Sequence, residues 1–136
     1  MQDRTRINVE AALAGEAMAV LRYQLFADQA QEEGYDRIAD LFGVAADDER
    51  KEHFRALASL MGLVGSTRAN LRAAIAGEVI EHRGLYRRFA AEAREDGERE
   101  VARRFEELAR GDHCHADRLR EALDELEVAD LEVVGA

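Results

Sequence analysis

An internal repeat covers most of the 136 residues of this chain. The segment NVEAALAGE at residues 8–16 matches NLRAAIAGE at residues 70–78, at an offset of 62 positions. From Tyr23 onward the offset is 63, and it relates Tyr23, Phe26, Ala30, Gly34, Phe42 and Glu49 to Tyr86, Phe89, Ala93, Gly97, Phe105 and Asp112. A chain that contains two copies of one unit is expected to fold as two copies of one supersecondary structure.

Each copy has the pattern of a helical hairpin. Apolar residues recur every three or four positions, proline is absent, and glycines follow the periodic segments. The pattern predicts helices over about residues 5–33, 36–62, 68–96 and 98–127, with Thr67 as the N-cap of the third. Long helices with short turns predict an all-α four-helix bundle, and the length of the chain predicts one domain over residues 1–136.

The change of offset places one extra residue in the third helix, between Glu78 and Tyr86. A single extra residue in an otherwise matched helix is typical of a π-bulge, and such bulges are frequent at functional sites. We therefore predict a bulge in the turn from Glu81 to Tyr86.

Acidic residues and a histidine fall on the apolar stripes of all four helices. They are Glu16, Glu49, Glu52, Glu78, Glu81, Asp112 and His115. Burying a carboxylate costs several kcal/mol unless it is paired or binds a metal. Carboxylates combined with imidazole suit a pair of iron or manganese ions, and bundles of this kind hold such pairs. The neighbouring His82 and His113 are expected to face outward.

Composition limits the partners and the compartment. The net charge of −10 argues against binding to nucleic acid or to an anionic membrane. The start of the sequence lacks the pattern of a signal peptide, and no apolar run is long enough to span a membrane. One cysteine allows no intrachain disulfide. These features predict a soluble cytoplasmic protein.

With these motifs in place, the sequence resembles the rubrerythrin family of ferritin-like di-iron proteins. The resemblance runs from Asn8 to about Leu123 and rests on NVEAALAGE, RYQLFADQAQEEGYDRIADLF, NLRAAIAGEVIEHRGLY and residues 105–115. It implies a bundle that holds two iron ions, although manganese or a mixed metal pair would use the same ligands. The implied iron ligands are Glu16, Glu49, Glu78, Glu81 and His115. Tyr23 and Tyr86 would be hydrogen-bond partners that hold the ligating carboxylates.

Two positions depart from the family pattern. The family usually has Glu-x-x-His on the second helix, whereas here Glu52 stands three residues after Glu49, and His53 follows it. The apolar register through Phe42 favours Glu52 as the ligand, and His53 is the alternative because it shares the same face. Asp112 stands where the fourth helix normally has Glu.

The resemblance implies an oxidoreductase that reduces hydrogen peroxide or oxygen. Members often carry a rubredoxin-like domain with two Cys-x-x-Cys pairs, which this sequence lacks, so an external donor such as a rubredoxin-like protein would supply the electrons. The alternatives are a ferroxidase and a non-catalytic metal-binding helical protein with a weakened site.

The connection between the two hairpins bears on assembly. In ferritin-like bundles the second and third helices are parallel, so the crossover here would have to span about 35 Å from helix rise alone. The residues from Gly62 to Thr67 span at most about 20 Å. We therefore expect a domain-swapped homodimer, in which the first hairpin of each chain packs with the second hairpin of the other.

Overall fold

The computed structural model describes the backbone of residues 1–134 and the side chains of residues 1–129. Within these residues the fold is all-α, as predicted. The elements in chain order are α1 (Asp3–Glu32), α2 (Asp36–Asp48), π1 (Glu49–Phe54), α3 (Arg55–Leu60), α4 (Thr67–Ile80), π2 (Glu81–Leu85), α5 (Tyr86–Glu95) and α6 (Arg99–Val134). Segments α2, π1 and α3 form one continuous helix, here called helix two, and α4, π2 and α5 form another, called helix three.

The turns lie where the glycines predicted them. Gly34 follows α1 with a φ of 81°, and its repeat counterpart Gly97 follows α5 with a φ of 83°. Glycine adopts this left-handed conformation without the steric cost that a Cβ would add, so it ends both helices in the same way. The predicted N-cap was wrong by one residue, because the Ser66 hydroxyl accepts a hydrogen bond from the Ala69 amide at 3.3 Å.

The predicted π-bulge is confirmed, and the structure contains a second one. Residues Glu81–Leu85 are π-helical in helix three, where the repeat offset placed the extra residue. Residues Glu49–Phe54 are also π-helical, in helix two, where no bulge was predicted. Each hairpin therefore contains one π-helical segment, and both segments begin at or next to a candidate ligand.

The chain separates into two compact units, one from Met1 to Val64 and the other from Gly65 onward. In the first unit α1 packs against helix two, and in the second unit helix three packs against α6. Each unit is one hairpin of the predicted repeat. The expectation that residues 1–136 form one domain stays a prediction.

An equivalent aromatic cluster lies between the two helices of each hairpin. Tyr23, Phe26 and Phe42 form the first cluster, with the Phe26 and Phe42 ring centroids 5.4 Å apart. Tyr86, Phe89 and Phe105 form the second, with the Phe89 and Phe105 centroids again 5.4 Å apart. The residues matched by the repeat thus make the same contacts in both hairpins. In each hairpin the cluster is separated from the candidate ligands in the sequence.

Few side chains are fully buried within a hairpin. The buried apolar residues are mostly alanines, among them Ala46, Ala90 and Ala116. Alanine lets the two helices of a hairpin approach closely, and the larger apolar side chains remain partly accessible. None of the helices, over the residues described, has a stretch apolar and long enough to cross a membrane.

Candidate metal centre

The first hairpin brings together Glu16 from α1 with Glu49 and His53 from π1. Their donor atoms all lie within 4.8 Å of one another. His53 Nδ1 is 2.6 Å from Glu49 Oε2 and 3.7 Å from Glu16 Oε2. The carboxylates are largely covered, while the His53 side chain is 58% exposed. Two carboxylates and one imidazole therefore converge at the surface of this hairpin.

The π-helical turn explains why His53 reaches this cluster. A π-turn holds one residue more than an α-turn, so His53, four residues after Glu49, takes the place that a residue at i+3 takes in an α-helix. Glu52 is exposed and does not belong to the cluster. Of the two alternatives that the sequence left open, the structure places His53, and not the favoured Glu52, beside Glu16 and Glu49.

A signal for this second π-helix is present in the repeat. Glu49 matches Asp112 at an offset of 63, but His53 matches His115, and Leu57 matches Leu119, at an offset of 62. Helix two therefore contains one extra residue after Glu49. The register argument used for helix three would have indicated the bulge and favoured His53.

The second hairpin brings together Glu78 from α4 with Asp112 and His115 from α6. Their donor atoms also lie within 4.8 Å of one another. His115 Nδ1 is 3.6 Å from Glu78 Oε1. Because α6 is a regular helix, Asp112 and His115 share a face at a spacing of three. The set repeats that of the first hairpin: one carboxylate from one helix, and an acid with a histidine from the other.

Glu81 and Tyr86 lie beside the second cluster. Glu81 is half-buried at the start of π2 and does not belong to the three-residue group. Burial, followed by the negative charges of Glu81, Asp112 and Glu78, raises the pKa of the Tyr86 phenol above its ordinary value. Tyr86 therefore stays protonated at neutral pH. Tyr23, its counterpart, is half-buried in the first aromatic cluster.

The prediction that His82 faces outward was wrong. Its side chain is only 4% exposed, and its Nδ1–H donates a hydrogen bond to the carbonyl oxygen of Glu78 at 2.7 Å. A π-helix shifts the backbone hydrogen bonds from i+4 to i+5, so nearby carbonyls are open to other donors. This hydrogen bond from His82 thus stabilises the turn that carries Glu78. His113 is exposed, as predicted.

Glu49 has the largest effect on the pKa of His53 in the first cluster. Its negative charge, and then its hydrogen bond, raise the pKa of His53 above the ordinary histidine value. Glu16 and Glu52 add smaller contributions in the same direction. A cation bound between His53 and Glu49 would replace the proton they share, so metal binding here is coupled to proton release.

The donor sets fit a metal ion better than they fit ion pairing. In the part of the chain described, the nearby arginines Arg22, Arg83 and Arg87 form no ion pair with Glu16 or Glu78. In the second cluster Glu78 Oε2 and Asp112 Oδ2 are buried without a hydrogen-bond partner. A buried carboxylate oxygen without a partner is costly, and coordination of a cation removes that cost.

Helical hairpins that each supply a carboxylate from one helix and an acid–histidine pair from the other are the arrangement found in di-metal carboxylate proteins of the four-helix class. The family model described as Rubrerythrin matches residues 8–69 and 69–134, one match for each hairpin. The chain belongs to the rubrerythrin family, whose fold class is all-α and ferritin-like.

Individual relatives agree with this assignment. The chain is 38% identical over 128 residues to a rubrerythrin of Nitratidesulfovibrio vulgaris, an alignment that covers 85% of this chain and 66% of the relative. It is also 38% identical over 128 residues to a rubrerythrin of Porphyromonas gingivalis, covering 85% and 64%. Rubrerythrin-1 of Clostridium acetobutylicum is 33% identical over 140 residues, covering 91% and 72%. The chain thus spans slightly less than two thirds of the length of the first two relatives.

Proposed function

We propose that this chain is a non-haem di-iron oxidoreductase of rubrerythrin type that reduces hydrogen peroxide to water with electrons from an external donor, such as a rubredoxin-like protein. The observation that carries the proposal is the repeated donor set. Each hairpin holds two carboxylates and one imidazole within 4.8 Å of one another. Oxygen and imidazole donors of this kind suit iron, and an oxygen-rich set favours its ferric state.

In this proposal the two clusters supply six of the ligands. Glu16, Glu49 and His53 come from the first hairpin, and Glu78, Asp112 and His115 come from the second. When bound, a pair of ferrous ions would supply the two electrons that convert peroxide to water. Glu81, beside Tyr86, is the further carboxylate that could join the set, and exposed Glu52 adds negative charge near His53.

Tyr86 is the proposed proton donor. Its raised pKa keeps the phenol protonated, and the carboxylates of Glu81, Asp112 and Glu78 act on it electrostatically. A protonated phenol at this place can hold a carboxylate by a hydrogen bond or deliver a proton to oxygen. Tyr23, in the equivalent position of the first hairpin, would have the same role there.

The first test is anaerobic loading with ferrous iron, followed by one addition of hydrogen peroxide while absorbance is recorded. We expect two irons per chain and rapid oxidation that a reductant reverses. Oxidised iron that leaves the protein would indicate a ferroxidase instead. Binding of one iron or none, or the absence of rapid oxidation, would contradict the proposal and favour a non-catalytic metal-binding protein.

We further propose that the functional unit is the domain-swapped homodimer. In this dimer one chain supplies the first cluster of a site and the other chain supplies the second. Large apolar side chains of the first hairpin, such as Leu21, Leu25 and Leu41, are 58–66% exposed. Burying such side chains is the usual driving force for association. The short crossover gives an independent reason for the swap.

Complementation of two inactive variants tests this assembly. E16Q/E49Q inactivates the first hairpin and E78Q/D112N the second, so neither variant alone should bind the iron pair. Refolded together, swapped heterodimers would contain one intact site, and iron binding should return to about a quarter of that of the unmodified chain, since half of the dimers are mixed. Dimers without recovery, or monomers with intact sites, would contradict the swap.

A further inference from the structure

A groove in the second hairpin gathers positive charge in a chain whose net charge is −10. It lies between helix three and α6 and has a volume of about 550 Å³. Its lining residues are His82, Arg83, Arg87, Glu106, Ala109, Arg110 and His113. Arg110 and His113 each precede a candidate ligand, Asp112 or His115, by two residues. Residues two apart on an α-helix point about 200° apart, so the groove opens away from the Glu78 cluster.

The arginines of this groove have no acidic partner within the described part of the chain. Among the described residues, Arg83, Arg87 and Arg110 form no ion pair or hydrogen bond with a carboxylate, whereas other arginines of the chain do. The one acid in the lining, Glu106, pairs with Arg94 outside the groove. Three arginines therefore line this groove with a single carboxylate, Glu106, which is already paired with Arg94.

The floor of the groove is a buried histidine. His82 is 4% exposed, and its ring centroid lies 5.1 Å from that of His113. Because His82 Nδ1 donates to the Glu78 carbonyl, Nε2 is the nitrogen that remains, and no described residue bonds to it. Two histidines could in principle bind a cation, but three neighbouring guanidinium groups would repel one. The charge of the groove selects an anion.

The first hairpin provides an internal comparison. At the repeat offset of 63, Asp47 takes the place of Arg110, and Gln24 takes the place of Arg87. A neighbouring groove of the first hairpin is lined by Asp36, Asp40 and Asp47, and it shares with the basic groove only the positions of Gly43 and Asp47. The hairpin fold therefore does not by itself produce a basic groove, and the arginines are particular to the second copy.

We propose that this groove binds a tetrahedral oxyanion of the phosphate class. The planar guanidinium group matches an oxyanion with paired N–H donors, and such charge-assisted bonds are about twice as strong as neutral ones. The volume lies within the range of ordinary small-ligand sites. This inference goes beyond the proposed peroxide chemistry and does not depend on bound iron.

The test is a titration of the full chain with sulfate, which shares the tetrahedral geometry, at constant ionic strength maintained with chloride. Constant ionic strength keeps general screening unchanged, so only specific binding gives a saturating signal. We expect one sulfate per chain by calorimetry, with the largest amide shifts by NMR at residues 82–87 and 109–113. The triple variant R83Q/R87Q/R110Q should bind about tenfold more weakly, since each exposed charge pair contributes a factor of a few.

The matched control is R4Q/R37Q/R118Q, which removes the same charge from arginines outside the groove. Its affinity for sulfate should stay within about twofold of that of the unmodified chain, because distant exposed charges are screened. If the triple groove variant fails to fold, R110D replaces it. That single change copies the residue of the first hairpin on an exposed helix face, and it should also weaken binding about tenfold.

Three results would overturn the inference. The first is the absence of saturable sulfate binding to the unmodified chain. The second is an equal loss in the groove variant and the control, which would mean that net charge alone attracts the anion. The third is binding of a pentaglutamate peptide without binding of sulfate, which would assign the groove to an acidic protein surface.

Discussion

The two hairpins reach the same donor set by different routes. In the first hairpin α1 is regular over 30 residues, and the π-helical turn lies in helix two, where it brings His53 to Glu49. In the second hairpin the π-helical turn lies in helix three, next to Glu78, and α6 is regular over 36 residues. One inserted residue per hairpin is tolerated because a π-turn absorbs it locally, and the aromatic clusters keep the same register.

The hairpins also differ in what they expose. The exposed large apolar side chains are concentrated in the first hairpin, and its interhelical groove is lined by aspartates. The second hairpin exposes fewer of them and carries a groove lined by arginines. The repeat therefore preserves the residues that form the clusters, while the outer surfaces have diverged.

The largest effect is expected from deleting single residues. Deletion of Lys51 should convert π1 into a regular α-helix. The remaining residues would then have the spacing Glu-x-x-His, which is the spacing of Asp112 and His115 in α6. We expect this change to lower the free energy of unfolding by less than about 1 kcal/mol. Deletion of Gly111 from the regular α6 should rotate all later residues by about 100° and cost about 3 kcal/mol or more, because buried Ala116 leaves its place. Chemical denaturation measures both, and equal losses would show that π1 does not hold an inserted residue.

Removing ligands compares the contribution of each hairpin to iron binding. E78Q/D112N and E16Q/E49Q should each weaken iron binding on the order of 100-fold, because each removes two charged donors from an equivalent set. E121Q/D124N changes the charge equally on an exposed face of α6 and should leave iron binding unchanged. Competition with a chelator measures the affinities. A large loss in one hairpin only would mean that the two clusters are not equivalent.

His53 and Glu52 are distinguished by single substitutions. H53Q should weaken iron binding more than tenfold, because it removes the imidazole that lies 2.6 Å from Glu49. E52Q should change it by less than about twofold, because an exposed charge acts only through the solvent. The reverse order would support the ligand that the sequence register favoured.

The smallest expected effect is a shift in the titration of His53. In the metal-free protein its pKa should lie above the ordinary histidine value, because the Glu49 carboxylate favours the charged ring. E49Q should lower this pKa, and NMR of the imidazole protons measures it. Since metal must displace the proton, iron binding should weaken as the pH falls through this pKa. An unchanged pKa in E49Q would contradict the assigned contact.

Much of the fold could be predicted from the sequence. The repeat and the helical periodicity indicated two hairpins, and Gly34 and Gly97 marked turns because their φ values are those glycine adopts most easily. The bulge at Glu81 followed from the repeat offset. Of the seven metal ligands predicted from the sequence, six lie in or beside the two clusters. They could be predicted because carboxylates on an apolar stripe need a partner. His53 was ranked second because a regular helix was assumed after Glu49.

The sequence by itself determined the two helical hairpins, the aromatic register and the carboxylates on the inner stripes, because these depend on periodicities that local geometry imposes. The extra residue of helix two is also present in the repeat, and the tertiary structure shows that a π-turn absorbs it and brings His53 to Glu49. Only the tertiary structure decided that His82 is buried against its own helix and that three arginines share one groove. Successive side chains on a helix point about 100° apart, so a shift of one residue changes which side chain faces a neighbour. Packing between helices, and not the sequence alone, therefore determines these positions.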